Sequence, residues 1–173
     1  MKSMREERGE GPAVTSFAAF YEDNRTAAIR LVWLLTHDSA VAEDIVQDAF
    51  TTMFLRFDAA DAFGAIDDPR AYLRRVIVNG VYQRTRRRGR EARRLEVVGR
   101  AQPRSAEDQS EGLAGGLATA IHRLPLDQRT AIVLRYWGDL DHRAIADAMG
   151  VRPGTARSLL SRATTQLRKD YTP

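Results

Sequence analysis

Apolar residues recur along this chain at helical spacing and nowhere alternate as a half-buried strand would, so the pattern predicts an all-α protein. The firmest run is Ala42, Ile45, Val46, Ala49, Phe50, Met53, Phe54 and Phe57. It makes a core-facing stripe on a helix that Asp38 or Ser39 can cap. Ahead of it, Thr15 or Ser16 can cap a helix to about Leu35, with Phe17, Phe20, Tyr21, Ala28, Leu31 and Leu35 inward. Behind it, DAADAFGAIDD reads as a loop, and Asp68-Pro69 as a helix start with aspartate at the cap and proline in the first turn. The third helix then buries Tyr72, Leu73, Val76, Ile77 and Val81 and runs into RTRRRGRE. Gly80 inside it costs about 1 kcal/mol against alanine, which implies a local packing reason.

From about Glu91 to Gly116 the chain is rich in polar residues, with Pro103 and several glycines, and reads as a flexible linker. Beyond it the pattern predicts a short helix from Leu117 to Leu124, stopped by Pro125, and another from Asp127 to Trp137. Two more helical patterns follow, DHRAIADAMG and RPGTARSLLSRATTQLR, joined by Gly150-Val151. With Ile145, Ala146 and Met149 inward on one, and Ala156, Leu160, Ala163 and Leu167 inward on the other, they form a helix-turn-helix plugged by Val151. The expected organisation is two small helical domains, residues 15–90 and 116–173, with a disordered tail over 1–14 and a linker over 91–115.

Charge sharpens this division. Asp38 to Asp68 holds eight acids against Arg56 alone, whereas Arg84 to Arg94 holds seven arginines against Glu91 alone. Blocks of opposite sign so close together argue for two partners, or two parts of one. Of the 27 basic residues only Lys2 and Lys169 are lysine, a bias that suits bidentate contacts with phosphate and guanine. An arginine- and alanine-rich proteome would show the same bias. The chain has no cysteine, no apolar run long enough for a membrane span, and a charged start without the apolar stretch of a secretory signal. A cytoplasmic protein is expected.

The outer face of the last helix presents Arg152, Thr155, Arg157, Ser158, Ser161 and Arg162, residue types that a recognition helix uses on base edges and phosphates. A packed hairpin with a solvated arginine face would look similar. Asp44, Gln47 and Asp48 share one polar face of the second helix, as either a solvated surface or an acidic docking patch. Catalysis finds little support. His37, His122 and His142 lack metal-ligand spacing, Asp67-Asp68 is explained by capping, and no cofactor is expected.

Resemblance decides between these alternatives. AEDIVQDAF (42–50) resembles the signature with which sigma factors grip the clamp helices of the RNA polymerase β′ subunit. AYLRRVIVN (71–79) is similar to the family's run on the helix that opens the minus-ten promoter element. LPLDQRTAIVLRYWGDL (124–140) followed by HRAIADAMGVRPGTARSLLSRA (142–163) resembles the fourth sigma domain, which binds the minus-thirty-five element. Order and spacing match the small extracytoplasmic-function group, over about Phe17 to Arg168.

The resemblance implies a non-enzymatic subunit that brings core polymerase to promoters and assists melting. It places Asp44, Gln47 and Asp48 at the polymerase. It places Phe63, Tyr72, Arg74, Arg75, Asn79, Arg84, Arg86, Arg87 and Arg88 at the minus-ten element, and the outer face of the last helix at the minus-thirty-five element. Aromatic, hydrogen-bonding and cationic groups are what single-stranded DNA requires. Core polymerase (β′ clamp helices and β flap), promoter DNA and an anti-sigma factor are the implied partners, and the nucleoid the implied location.

Tyr72 replaces the family's usual tryptophan, Leu159 and Thr164 stand where arginine is common, and Arg152 takes a cap position without a side-chain acceptor. The rival reading is a helix-turn-helix regulator that binds duplex DNA as a dimer. It leaves the acidic patch and the basic third helix without a role.

Overall fold

The computed structural model describes residues 17–57, 67–97 and 113–170. Seven helices occur among them: α1 (Phe17–Thr36), α2 (Ser39–Phe57), α3 (Pro69–Val97), α4 (Leu113–Arg123), α5 (Leu126–Tyr136), α6 (His142–Met149) and α7 (Pro153–Asp170). No strand occurs among the described residues.

The first three helices pack around the α2 stripe. Ala42, Ile45, Val46, Ala49, Phe50 and Met53 are buried, and Val41 joins them. Each large apolar side chain removed from water contributes about 1.5–3 kcal/mol. Phe54 is 42% exposed, although its ring lies 5.3 Å from Phe17, and the Phe57 side chain lies outside those described. Phe17, Phe20 and Tyr21 of α1 surround the Phe50 ring at centroid distances of 6.3, 6.1 and 4.8 Å. Both expected caps form. Asp38 accepts from the Val41 amide at 3.0 Å, and Asp68 from the Ala71 amide at 2.8 Å. Thr15 and Ser16, the loop over 58–66 and with it Phe63 lie outside the described residues.

Gly80 has its packing reason. A Cβ built there would meet Ile45 Cγ2 at 3.1 Å, so the glycine lets α3 lie close against α2. The third helix is longer than its pattern suggested. It continues through Glu91 to Val97, because EARRLEV is made largely of strong helix formers. Likewise α4 begins at Leu113, so helix occupies both ends of the stretch read as linker.

The last four helices form a second cluster. Asp141 caps α6 by accepting from the Arg143 and Ala144 amides at 2.9 and 2.8 Å, and those bonds hold its carboxyl below the usual range. Gly150 takes the left-handed conformation, with φ at 66°, that glycine adopts without strain. Val151 then donates to the Ala146 carbonyl at 3.0 Å and α7 begins at Pro153. Ile145, Ala146, Ala156 and Ala163 are fully buried. Leu160 and Leu167 are only half-buried, whereas Leu159 is buried, so the inner face of α7 is rotated slightly from the expected one.

These clusters meet along a seam, with α1 against α4 and α5 and α3 against α6. The buried apolar cluster runs across it without a break. Arg129 of α5 donates to the carbonyls of Leu35 on α1 and of His122 and Leu124 at the end of α4. The Tyr82 hydroxyl donates to Asp127 at 2.6 Å, and burial first, then that carboxylate, pushes its pKa well above the ordinary phenol value. The imidazoles of His37 and His122 lie 5.1 Å apart, each with one buried nitrogen lacking a hydrogen-bond partner in the protein.

Candidate functional site

The residues singled out from the sequence fall on three surfaces. The first is the exposed side of α2. There Asp44, Gln47 and Asp48 lie opposite the buried stripe, and Thr51, Thr52 and Leu55 extend the exposed row. Asp44 and Asp48 form one wall of a groove of about 470 Å³, with Asn79, Arg84 and Arg87 of α3 on the other. Members of the acidic and basic blocks therefore face each other across one cleft.

The second surface is the start of α3. Tyr72 is half-buried, and its hydroxyl accepts from Arg56 at 3.1 Å while the guanidinium lies 5.5 Å from the ring centre. Arg74 pairs with Asp68 at 3.8 Å; burial pushes its pKa down and Asp68 pulls it back up. Tyr72, Arg74 and Arg75 share a cleft of about 400 Å³ with Ala144, Asp147 and Ala148 of α6. In this arrangement the first helix of the helix-turn-helix lies beside them. Farther along α3, Arg84, Arg86 and Arg87 are exposed. Arg88 instead reaches Asp38 at 3.2 Å, and together with the Val41 amide, the larger influence, it lowers the Asp38 pKa.

The third surface is α7. Arg152, Thr155, Arg157, Ser158, Ser161 and Arg162 are all exposed. Arg152, Thr155, Ser158 and Arg162 surround a shallow depression of about 420 Å³ floored by Leu159, one of the positions where the family commonly has arginine. Ser158 donates its proton to the Gly154 carbonyl at 3.0 Å, which leaves its oxygen to accept. Thr164, at the other such position, donates to Leu160 at 2.9 Å.

Sequence reasoning missed the seam residues Arg129, Tyr82, His37 and His122. It also missed the Asp141 cap, although an aspartate before HRAIADAM is a recognisable helix start. No group of metal-ligating side chains occurs among the described residues, and no described helix is long and apolar enough to cross a membrane.

Comparison with known proteins identifies the two halves that carry these surfaces. Residues 20–91 match Sigma-70 region 2 and residues 115–167 match Sigma-70, region 4. An RNA polymerase sigma-E factor of Streptomyces avermitilis is 32% identical over 161 residues, covering 91% of this chain and 86% of that protein. The ECF RNA polymerase sigma factor SigM of Mycobacterium tuberculosis is 31% identical over 147 residues, covering 80% and 68%. Among solved structures, the sigma factor RpoE in complex with the anti-sigma factor NepR from Bartonella quintana aligns with a TM-score of 0.68 and 25% identity, over 87% of this chain and 94% of that one. A dimeric helix-turn-helix regulator does not account for the match over 20–91. With region 2 carrying α1 to α3 and region 4 carrying the helix-turn-helix, the chain belongs to the sigma-70 family as an extracytoplasmic-function RNA polymerase sigma factor.

Proposed function

We propose that this sigma factor divides its work between residues 15–90 and residues 116–173, joined across 91–115. The first unit docks core polymerase through Asp44, Gln47 and Asp48 and holds the melted minus-ten strand with Tyr72, Arg74, Arg75, Asn79 and Arg86. Phe63 belongs to the same task by resemblance. The second unit seats α7 in the major groove of the minus-thirty-five element through Arg152, Thr155, Arg157, Ser158, Ser161 and Arg162. The chain acts by binding, without chemistry of its own, at the nucleoid in the cytoplasm.

The observation that supports this reading most directly is the exposure of Asp44, Gln47 and Asp48 along α2 opposite its buried face. Two acids and an amide on a helix whose opposite face is packed offer a preformed complement to a basic protein surface. The β′ clamp helices are the proposed occupant. For the second unit the proposed polymerase contact is the β flap. An apolar groove of about 710 Å³, walled by Ile121, Val133, Trp137 and Leu167 with Trp33 of α1, is the surface it offers. An anti-sigma factor is a further proposed partner, supported by the complex in which the similar RpoE was solved.

Since Tyr72, Arg74 and Arg75 lie beside α6, promoter engagement in this reading requires the seam between α3 and α6 to open. The test is run-off transcription with core polymerase and a randomised promoter library, preceded by co-purification at low ionic strength. Enrichment of paired minus-ten and minus-thirty-five sequences is expected. Failure to bind core with no inhibitor present would overturn the assignment.

A further inference from the structure

With α2 taken as the docking helix, as above, we propose that Arg84, with Arg87 beside it, belongs to the polymerase-docking surface and not to the surface that holds promoter DNA. The groove between α2 and α3 has Asp44 and Asp48 on one wall and Asn79, Gln83, Arg84 and Arg87 on the other. Gly80 fixes its width by letting α3 approach Ile45. The four charged side chains are exposed, and the ion pairs found among the described residues, Arg74 with Asp68 and Arg88 with Asp38, include none of them.

Unneutralised charges of both signs thus look into one cleft. A DNA backbone carries a single sign. A phosphate drawn in by Arg84 would share the groove with two carboxylates, whose like charge opposes it. A protein surface that brings bases to the α2 wall and acids to the α3 wall would satisfy both at once.

The neighbouring face of α3 provides the contrast. Arg86, Arg90 and Arg93 are spaced to share one side of the helix, and the cleft they line with Gln83, Arg87 and Gly89 contains no acid. That face suits phosphates. The arginine block of α3 therefore divides by helical angle: Arg84 goes to the groove, Arg86, Arg90 and Arg93 to the cation-only face, and Arg88 to Asp38, while Arg87 stands on the border between groove and cationic face.

The experiment titrates full-length chain with core polymerase in the absence of DNA, then titrates the holoenzyme with a fork-junction promoter fragment. Arg84→Glu is expected to weaken core binding about tenfold and to leave fork affinity, at saturating core, close to that of the wild type. The double variant Arg90→Glu with Arg93→Glu should show the reverse, with core binding intact and fork affinity about tenfold lower. If Arg84→Glu binds core normally and loses fork DNA, Arg84 is a promoter contact and the proposal is overturned. Reversal of Asp44 and Asp48 to arginine in the same titration separates the two possible failures. Normal core binding by that variant would mean that α2 is not the docking helix at all. Circular dichroism checks folding, and Arg84→Ala, with an expected loss of about threefold, serves if the reversed charge disturbs α3.

Discussion

The groove between α2 and α3 and the outer face of α7 both present charge at the surface, yet they are built on different principles. The groove lies between helices, so its shape depends on how closely Gly80 lets α3 approach Ile45. It carries both signs of charge. The α7 face sits on one helix, its depression is lined by cations and hydroxyls, and fully buried Ala156 and Ala163 anchor it from behind. A mixed-charge cleft set by helix spacing discriminates between protein partners, whereas a cationic ridge on a single helix can enter a groove of duplex DNA. Packing changes should therefore damage the first surface at sites where the second is untouched, and the reverse.

The largest effect tests whether the two surfaces are independent at all. Ile145 of α6 is fully buried, and Ile145→Ala should cost about 2–5 kcal/mol. Because the buried cluster is continuous across the seam, Trp33 and Trp137 should report one shared unfolding transition in urea. Separate midpoints for the two indoles would mean that the halves fold alone.

Gly80→Val strikes the groove only. The added side chain must push against Ile45, costing about 1–3 kcal/mol and lowering affinity for core polymerase. Gel shifts on duplex minus-thirty-five DNA should be unchanged; an equal loss there would erase the distinction.

Arg157→Ala and Arg162→Ala strike α7 only. Each should cost about 1–3 kcal/mol at the cognate upstream element if it reads bases, with core binding intact. A uniform loss on every sequence, with the log–log salt slope reduced by about 0.9 per contact, would make them phosphate contacts instead.

The smallest effect concerns the seam between the two regions. Burial first, then Arg129 and His37, hold the His122 pKa below its ordinary 6.5. The acids nearby are engaged elsewhere, Asp38 by Arg88 and the Val41 amide and Asp127 by Tyr82. A base whose pKa is lowered by closure binds its proton more readily when the seam opens. The closed state is thus fully favoured above the ordinary value and weakens as pH falls below it. The chain has no cysteine, so spin labels at Glu22→Cys and Thr165→Cys can report the separation. It should lengthen between about pH 8 and about pH 5.5, and His122→Asn should remove that response.

Much of this contrast could be read from the residues themselves. The α2 stripe, the caps at Asp38 and Asp68 and the turn at Gly150 are local patterns, and local backbone geometry answers to them directly. The cost of Gly80 was visible, but Ile45 as its cause was not, since nothing in a glycine names the surface that approaches it. The meeting of Asp44 with Arg84 depended on the packing of α3 against α2, which periodicity does not specify. Leu159 shows the same limit: it flanks the stripe of Ala156 and Ala163, and whether such a flank is buried depends on the neighbouring helices. The pairing of Arg88 with Asp38, fifty positions away, is likewise something no spacing along α3 names.

Arg129 carries a lesson about who controls closure. Its acceptor on α1 is the Leu35 carbonyl, a group that every amino acid possesses, so no replacement at position 35 can take the acceptor away. The clasp is one-sided: mutation can loosen it from the helix-turn-helix half and hardly at all from the other. An Arg129→Met chain would be the natural starting point for loosening the halves, with the Tyr82–Asp127 bond and the shared apolar core still holding them.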